Sequence, residues 1–205
     1  KKIERLMHLA TRCDIMVAVD HPANLDALNA AAGDVSLRVL VEVNIGHNRC
    51  GTAPGKAAVD LAQRAQAASH LRFTGIMGYA GHVVDLEDNV ERESKASECL
   101  QRLVDTRADI EATGLDVSIC SSSATGDYYI STRFDGITEV QAGSYALMDV
   151  AYGRLGLGFK NALTVLTTVG SRPTSQQVIT DAGLKSLTPE HGFPLVKNRS
   201  DLECH

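Results

Sequence analysis

Five short apolar runs alternate with stretches of helical spacing between Ile3 and Gln141, and this alternation constrains the fold more than any other feature of the sequence. The runs cover residues 15–19, 37–45, 73–79, 117–120 and 137–141. They are continuous rather than alternating, the pattern of strands covered on both faces in a parallel α/β sheet or barrel. Between them, Ile3, Leu6, Met7 and Leu9 recur at helical spacing, and Pro22 opens a second helix that stops at Gly33. Thr52 is expected to cap a third helix running to residue 68. Asp85 is expected to open a long fourth helix reaching Gly114, with Glu87, Asp88, Glu91, Arg92, Glu93 and Lys95 on its solvated face. A short helix is expected over 127–132.

After Phe159 the rhythm changes. Residues 162–169 and 177–181 read as strands joined by a Gly-Ser-Arg-Pro turn with no helix between them, which predicts an antiparallel, all-β unit. The expected division is therefore 1–158 and 159–205. A closed (β/α)8 barrel needs eight strands. Five strands make either an open sheet or the last five strands of a barrel. The chain does not open on Met and starts inside a helix, which favours a partial (β/α)8 TIM barrel lacking its N-terminal strands, followed by part of a C-terminal β domain. On this reading the chain is an internal span of a longer protein.

Composition narrows the function classes. A hydrophobic fraction of 44% with charge spread throughout argues against intrinsic disorder. A net charge of -5 leaves no basic footprint, so neither nucleic acid nor an anionic membrane is an expected partner. No run of about 18 apolar residues is present to form a transmembrane helix. The five cysteines are odd in number and never paired as Cys-x-x-Cys, which points to a reduced, cytoplasmic compartment.

Barrel active sites lie at the C-terminal ends of strands. Strand two is followed by Gly46-His47-Asn48-Arg49-Cys50-Gly51, a loop suited either to aiming the Arg49 guanidinium at an anionic oxygen or to a plain surface turn. His47 and Cys50 alone make a weak metal signal, and no metal site is assigned. Strand three ends Gly78-Tyr79-Ala80-Gly81-His82, offering a phenol and an imidazole that either transfer protons or are hydrogen-bonded structurally. Strand four ends in Ser121-Ser122-Ser123-Ala124-Thr125-Gly126-Asp127 and strand five in Gln141-Ala142-Gly143-Ser144-Tyr145. Two such small-residue loops on consecutive strands suit a phosphate-bearing ligand.

In order, the stretches Gly-His-Asn-Arg-Cys-Gly, Gly-Ile-Met-Gly-Tyr-Ala-Gly-His, Thr-Glu-Val-Gln-Ala-Gly-Ser-Tyr-Ala-Leu-Met-Asp, Arg-Pro-Thr and Asp-Ala-Gly-Leu-Lys resemble the D-threonine aldolase and D-serine dehydratase family. These are fold type III pyridoxal-phosphate enzymes related to alanine racemase, and the resemblance runs the length of the chain. It implies an alanine-racemase-like barrel that binds pyridoxal 5'-phosphate, a C-terminal β domain, a homodimer and a divalent metal (Mn, Mg or Zn). Arg49 is then expected at the cofactor's phenolic oxygen, Tyr79 beside its ring, and Gln141 at the pyridine nitrogen, where racemase relatives place an arginine. Thr125, Gly126, Gly143, Ser144 and Tyr145 are expected to hold the phosphate. Asp181 to Lys185 would lie in the β domain near the mouth.

Three departures from the family pattern stand out. The phosphate loop carries Asp127, which would repel a phosphate dianion unless it points away. Some members place a catalytic His six residues after the Tyr, where this chain has Asp85, leaving His82 as the nearest imidazole and the candidate base. None of the seven lysines suits the Schiff-base position at the end of the first barrel strand, and the family's metal ligands fall outside this chain; Cys204 and His205 are adjacent and unsuited to one ion. The resemblance thus implies a lyase on D-3-hydroxy amino acids, working by retro-aldol cleavage to glycine and an aldehyde or by elimination of water. The alternatives are a non-catalytic fragment with at most weak cofactor binding, or an amino-acid racemase.

Overall fold

The structure, a computed structural model, describes residues 1–205. It divides into two compact units, Lys1–Ala142 and Gly143–His205.

The first unit is built from repeated helix and strand: α1 (Lys2–Ala10), β1 (Met16–Val19), α2 (Pro22–Ala32), β2 (Leu37–Glu42), α3 (Lys56–Ala67), β3 (Leu71–Met77), α4 (Asn89–Glu111), β4 (Ile119–Ser122), α5 (Tyr128–Ser131) and β5 (Glu139–Val140). The five strands form one parallel sheet in the order β1-β2-β3-β4-β5. Because each new strand joins on the same side as the last, right-handed crossovers place every helix on one face. The helices accordingly touch in sequence, α1 against α2, α2 against α3, α3 against α4 and α4 against α5. This is the arrangement of a barrel segment rather than of a doubly wound sheet.

The apolar runs explain the core. Leu37, Val39 and Val41 of β2 and Ile76 of β3 are fully buried together with Ala58, Leu61, Ala62 and Ala65 of α3 and Leu100, Leu103 and Ile110 of α4. Local signals set several helix ends. His21 caps α2 by accepting the Ala23 N–H on Nδ1 at 3.1 Å, Pro22 follows at the first helical position, and Gly33 closes the helix with φ 56.

Two expected boundaries move. Thr52 does not cap α3; it bridges Val43, donating its N–H to Glu42 O at 2.9 Å and accepting that of Asn44 at 2.8 Å. The chain after β2 folds back on its own strand end, and α3 starts only at Lys56. Asp85 lies in a turn, while Asp88 caps α4, its Oδ1 accepting the N–H groups of Val90 and Glu91 at 2.9 Å each. Glu91 stands three residues after Asp88, the carboxylate spacing that favours this cap over Asp85.

In the second unit, a 3₁₀ turn (Ser144–Ala146) and α6 (Val150–Arg154) precede an antiparallel hairpin of β6 (Val169–Thr174) and β7 (Gln177–Thr180). The Gly-Ser-Arg-Pro segment is part of β6, not the turn, and residues 162–168 form no strand. A two-stranded sheet has only edges, so Pro173 removes no ladder bond that a neighbouring strand would need. Asp181 ties the hairpin's base, its Oδ1 accepting from Thr167 Oγ1 and Thr168 N at 2.8 Å each. Those hydrogen bonds, the backbone one first, hold its carboxyl below the usual range.

Candidate active site

The loop after β2 is ordered by one side chain. Asn44 Oδ1 accepts the N–H groups of Gly46 and Asn48 at 3.0 and 3.1 Å, and its Nδ2 donates to Asn48 Oδ1 at 3.0 Å. Gly51 donates its N–H to Asp20 Oδ2 after β1 at 3.1 Å, closing the loop across two strand ends. Asn48 takes φ 55, a left-handed turn that Asn tolerates. The result places the Arg49 guanidinium carbon 5.4 Å from the centre of the Tyr79 ring after β3. The arginine and tyrosine singled out from separate strand ends therefore meet.

Glu42, at the end of β2, belongs to the same neighbourhood. Burial chiefly, and the Asp20 charge next, raise its carboxyl pKa, while Arg49 opposes both. This carboxylate was not singled out from the sequence, although it is the one acid inside the apolar run 37–45. His47 was also passed over as a pair with Cys50. Its ring packs edge to face on Tyr79 and stacks on His82, and its Nδ1 is buried with no hydrogen-bond partner. Such an orphaned nitrogen costs about 1–3 kcal/mol of stability, the kind of cost that functional positions carry.

His82 faces the helix layer. Its Nε2 lies 3.9 Å from Sγ of Cys99 on α4, and it lines a cleft of about 470 Å³ with Asn44, Asn48, Pro54 and Arg102. Its pKa is depressed, first by burial and then by the charges of His47, Arg102 and Lys95. Cys99 is buried, and burial pushes its thiol up, so it is held as a neutral neighbour.

At the far end of the sheet, Gln141 Nε2 donates to Ser121 Oγ at 2.9 Å, and Ser121 Oγ donates to Glu139 Oε1 at 2.5 Å. The chain of donors orients the Gln141 amide, since a serine hydroxyl has one hydrogen and gives it to the carboxylate. In the loop after β4, Asp127 turns inward: Oδ1 accepts the Ala124 N–H at 2.7 Å and Oδ2 the Ser123 hydroxyl at 3.3 Å. Its charge thus points into the fold and holds the loop. Thr125 and Gly126 are buried beneath the β3–α4 connection, where a Cβ on Gly126 would stand 1.6 Å from Val84 O. Gly143, Ser144 and Tyr145 belong to the second unit, where the Tyr145 ring lies 5.5 Å from that of Phe159.

Burial is the leading influence on Asp127 and raises its pKa. A carboxyl whose folded pKa lies above its unfolded value contributes stability fully present below the unfolded value, and this is lost as pH rises through the folded one. Asp127→Asn keeps an oxygen for the Ala124 N–H without the charge. The variant is expected to gain on wild type as pH rises above about 4, seen as a shift of the difference between their urea midpoints in the variant's favour; a constant difference contradicts the assignment.

Residues 2–168 match the family profile described as alanine racemase, N-terminal domain. The chain belongs to the alanine racemase N-terminal domain family. Residues 162–204 match the serine dehydratase domain profile, so the two profiles overlap across residues 162–168. A 3-hydroxy-D-aspartate aldolase of Paracoccus denitrificans (strain Pd 1222) is 34% identical, the match covering 98% of this chain and 55% of that protein. A D-threonine aldolase of Arthrobacter sp is 36% identical, covering 95% and 53%. The crystal structure of D-threonine aldolase from Filomicrobium marinum superposes with a TM-score of 0.93 at 35% identity, over 97% of this chain and 55% of that one. The chain thus spans about half the length of these members and relatives. The alpha/beta fold with five parallel strands is that of the alanine racemase N-terminal domain.

Proposed function

We propose that this chain carries the cofactor-holding barrel segment of a pyridoxal-phosphate-dependent lyase acting on D-3-hydroxy amino acids. The observation that carries the reading is similarity to D-threonine and 3-hydroxy-D-aspartate aldolases along nearly the whole chain. The meeting of Arg49 and Tyr79 at two strand ends supports it. The proposal divides the chain near residue 158 into barrel and β domain, and takes the enzyme to be a cytoplasmic homodimer. No helix is long and apolar enough to cross a membrane.

The residues fit the ring end of pyridoxal phosphate. Arg49 offers a guanidinium fork for an anionic oxygen, Tyr79 an aromatic wall, and Gln141 a neutral partner for the ring nitrogen in an orientation held by Ser121. Thr125 and Gly126 are the first unit's proposed phosphate holders, with Asp127 turned inward. When bound, the cofactor supplies an electron-withdrawing ring that takes up the pair freed at the substrate's α-carbon. The chain's own part is to hold that ring, fix the substrate's orientation and move a proton through an imidazole of the His47–His82 pair. The divalent metal that the family resemblance implies finds no fit among these residues, which hold no cluster of three His, Cys, Asp or Glu side chains.

One observation favours a second reading for the isolated chain. Lys1 precedes α1, and Lys2, Lys56 and Lys95 lie on helices, so none of the first unit's lysines stands at a strand mouth of its sheet. Without such an amine the first unit alone would bind without catalysing.

Product analysis tests the function. The protein at its natural length, supplied with pyridoxal phosphate and a divalent metal, is expected to convert D-threonine to glycine and acetaldehyde and to leave L-threonine untouched. Ammonia and 2-oxobutanoate in place of these assign elimination instead. Turnover of neither D-threonine nor 3-hydroxy-D-aspartate by either route overturns the lyase reading.

A further inference from the structure

The paired ends of β4 and β5 carry a polar relay. Ser121 and Glu139 are register partners across the two strands, and the ladder continues to Gln141, whose N–H donates to Ser122 O at 2.9 Å. Side chains two apart on a strand share a face, so Glu139 and Gln141 stand on the same side. Cys120 packs in the core that holds the α3 and α4 side chains, which turns Ser121, its neighbour, to the other face of the sheet.

The two hydrogen bonds of Ser121 allow one arrangement of donors. An ionised carboxylate only accepts, so the single hydroxyl hydrogen goes to Glu139 Oε1 at 2.5 Å. The Ser121 oxygen is left to accept, and it takes a hydrogen from Gln141 Nε2 at 2.9 Å. The amide is thereby fixed with its nitrogen toward Ser121 and its oxygen away from it. An amide without such a relay presents either end, because the two ends have nearly the same shape. Ser121 is buried, whereas Gln141 is exposed after the strand end, where a ligand can reach it.

We infer that Glu139 is a positioning residue which, through Ser121, holds Gln141 with Oε1 rather than Nε2 toward the ring nitrogen of bound pyridoxal phosphate. The inference rests on the cofactor reading above. A carbonyl oxygen accepts and a bare pyridine nitrogen also accepts, so the pairing is favourable when the ring nitrogen carries a proton. Gln141 held in this way favours the protonated ring, the stronger electron-withdrawing form. Turned the other way, its Nε2 would donate to the bare nitrogen and favour the neutral ring. The identity of residue 141 thus leaves the outcome open, and Glu139 decides it.

Protonation moves the resonance of a pyridine nitrogen far upfield, so ¹⁵N NMR of ring-labelled pyridoxal phosphate bound to the protein at its natural length reads the arrangement at neutral pH. Ser121→Ala breaks the relay and keeps the Glu139 charge; Glu139→Ala frees the Ser121 hydrogen to turn to the Gln141 oxygen. Each is expected to shift the resonance downfield of wild type, toward the neutral ring. A wild-type nitrogen that is already unprotonated overturns the proposal, as does a Ser121→Ala resonance at or upfield of the wild-type position. Where Ser121→Ala does not fold, Glu139→Ala at its exposed position decides by the same criterion. A wild-type protein that binds no pyridoxal phosphate instead sinks the cofactor reading itself, a distinguishable result.

Discussion

Gly126→Ala is expected to destabilise the first unit by about 3 kcal/mol or more, the upper end of what overpacking does. The added Cβ would stand 1.6 Å from Val84 O and 2.6 Å from Val84 C, so the clash is with backbone and no side-chain rotation relieves it. Retreat is blocked on the other side, because the neighbours Thr125 and Asp127 are 1% and 0% exposed. Any shift also breaks the Asp127 bonds to Ala124 and Ser123 that hold the loop after β4. A loss of that size is a large share of a domain's total of about 5–15 kcal/mol. In urea it is expected to lower the midpoint by about 1 M or more. Gly183→Ala is the control: a Cβ there has nothing within 4 Å, and a change under about 0.5 kcal/mol is expected. A Gly126→Ala protein with the wild-type midpoint would show that the β3–α4 connection does not pack on this loop.

Much of the first unit can be read in the sequence, for a definite reason. Strands buried on both faces must be continuously apolar, so the runs around Val39, Ile76 and Cys120 announce themselves, and Pro22 and Gly33 bracket α2 by backbone chemistry alone. What escapes a linear reading is whatever depends on a partner far along the chain. Thr52 has the look of a helix cap, yet its backbone is claimed by Glu42 and Asn44. Asp85 and Asp88 are both plausible caps, and the choice turns on the position of Glu91. Pro173 signals a turn, but in a two-stranded hairpin it sits in a strand.

The same distinction divides the site. Arg49, Tyr79, Gln141 and the Ser-rich loop are visible because each follows an apolar run, where a barrel presents its chemistry. Glu42 acquires its character from burial first and then from the charges of Asp20 and Arg49, and His47 from the rings of Tyr79 and His82. Asp127 shows the converse. In sequence it looks hostile to phosphate, and only the fold reveals that its oxygens are engaged inward.

Arg49→Ala is expected to weaken pyridoxal phosphate binding about ten- to a hundredfold. Hydrogen bonds to charged groups contribute about 1.5–3 kcal/mol, and about 1.4 kcal/mol is a decade of affinity. Arg49→Lys restores a charge but not the planar fork, and is expected to fall between the two. The proposed holding of the cofactor by the strand mouths of the first unit is tested most directly by the equilibrium affinity of the natural-length protein for pyridoxal phosphate, measured for wild type, Arg49→Lys and Arg49→Ala. Affinity falling in that order is the predicted result; an Arg49→Ala protein that binds the cofactor as tightly as wild type contradicts it.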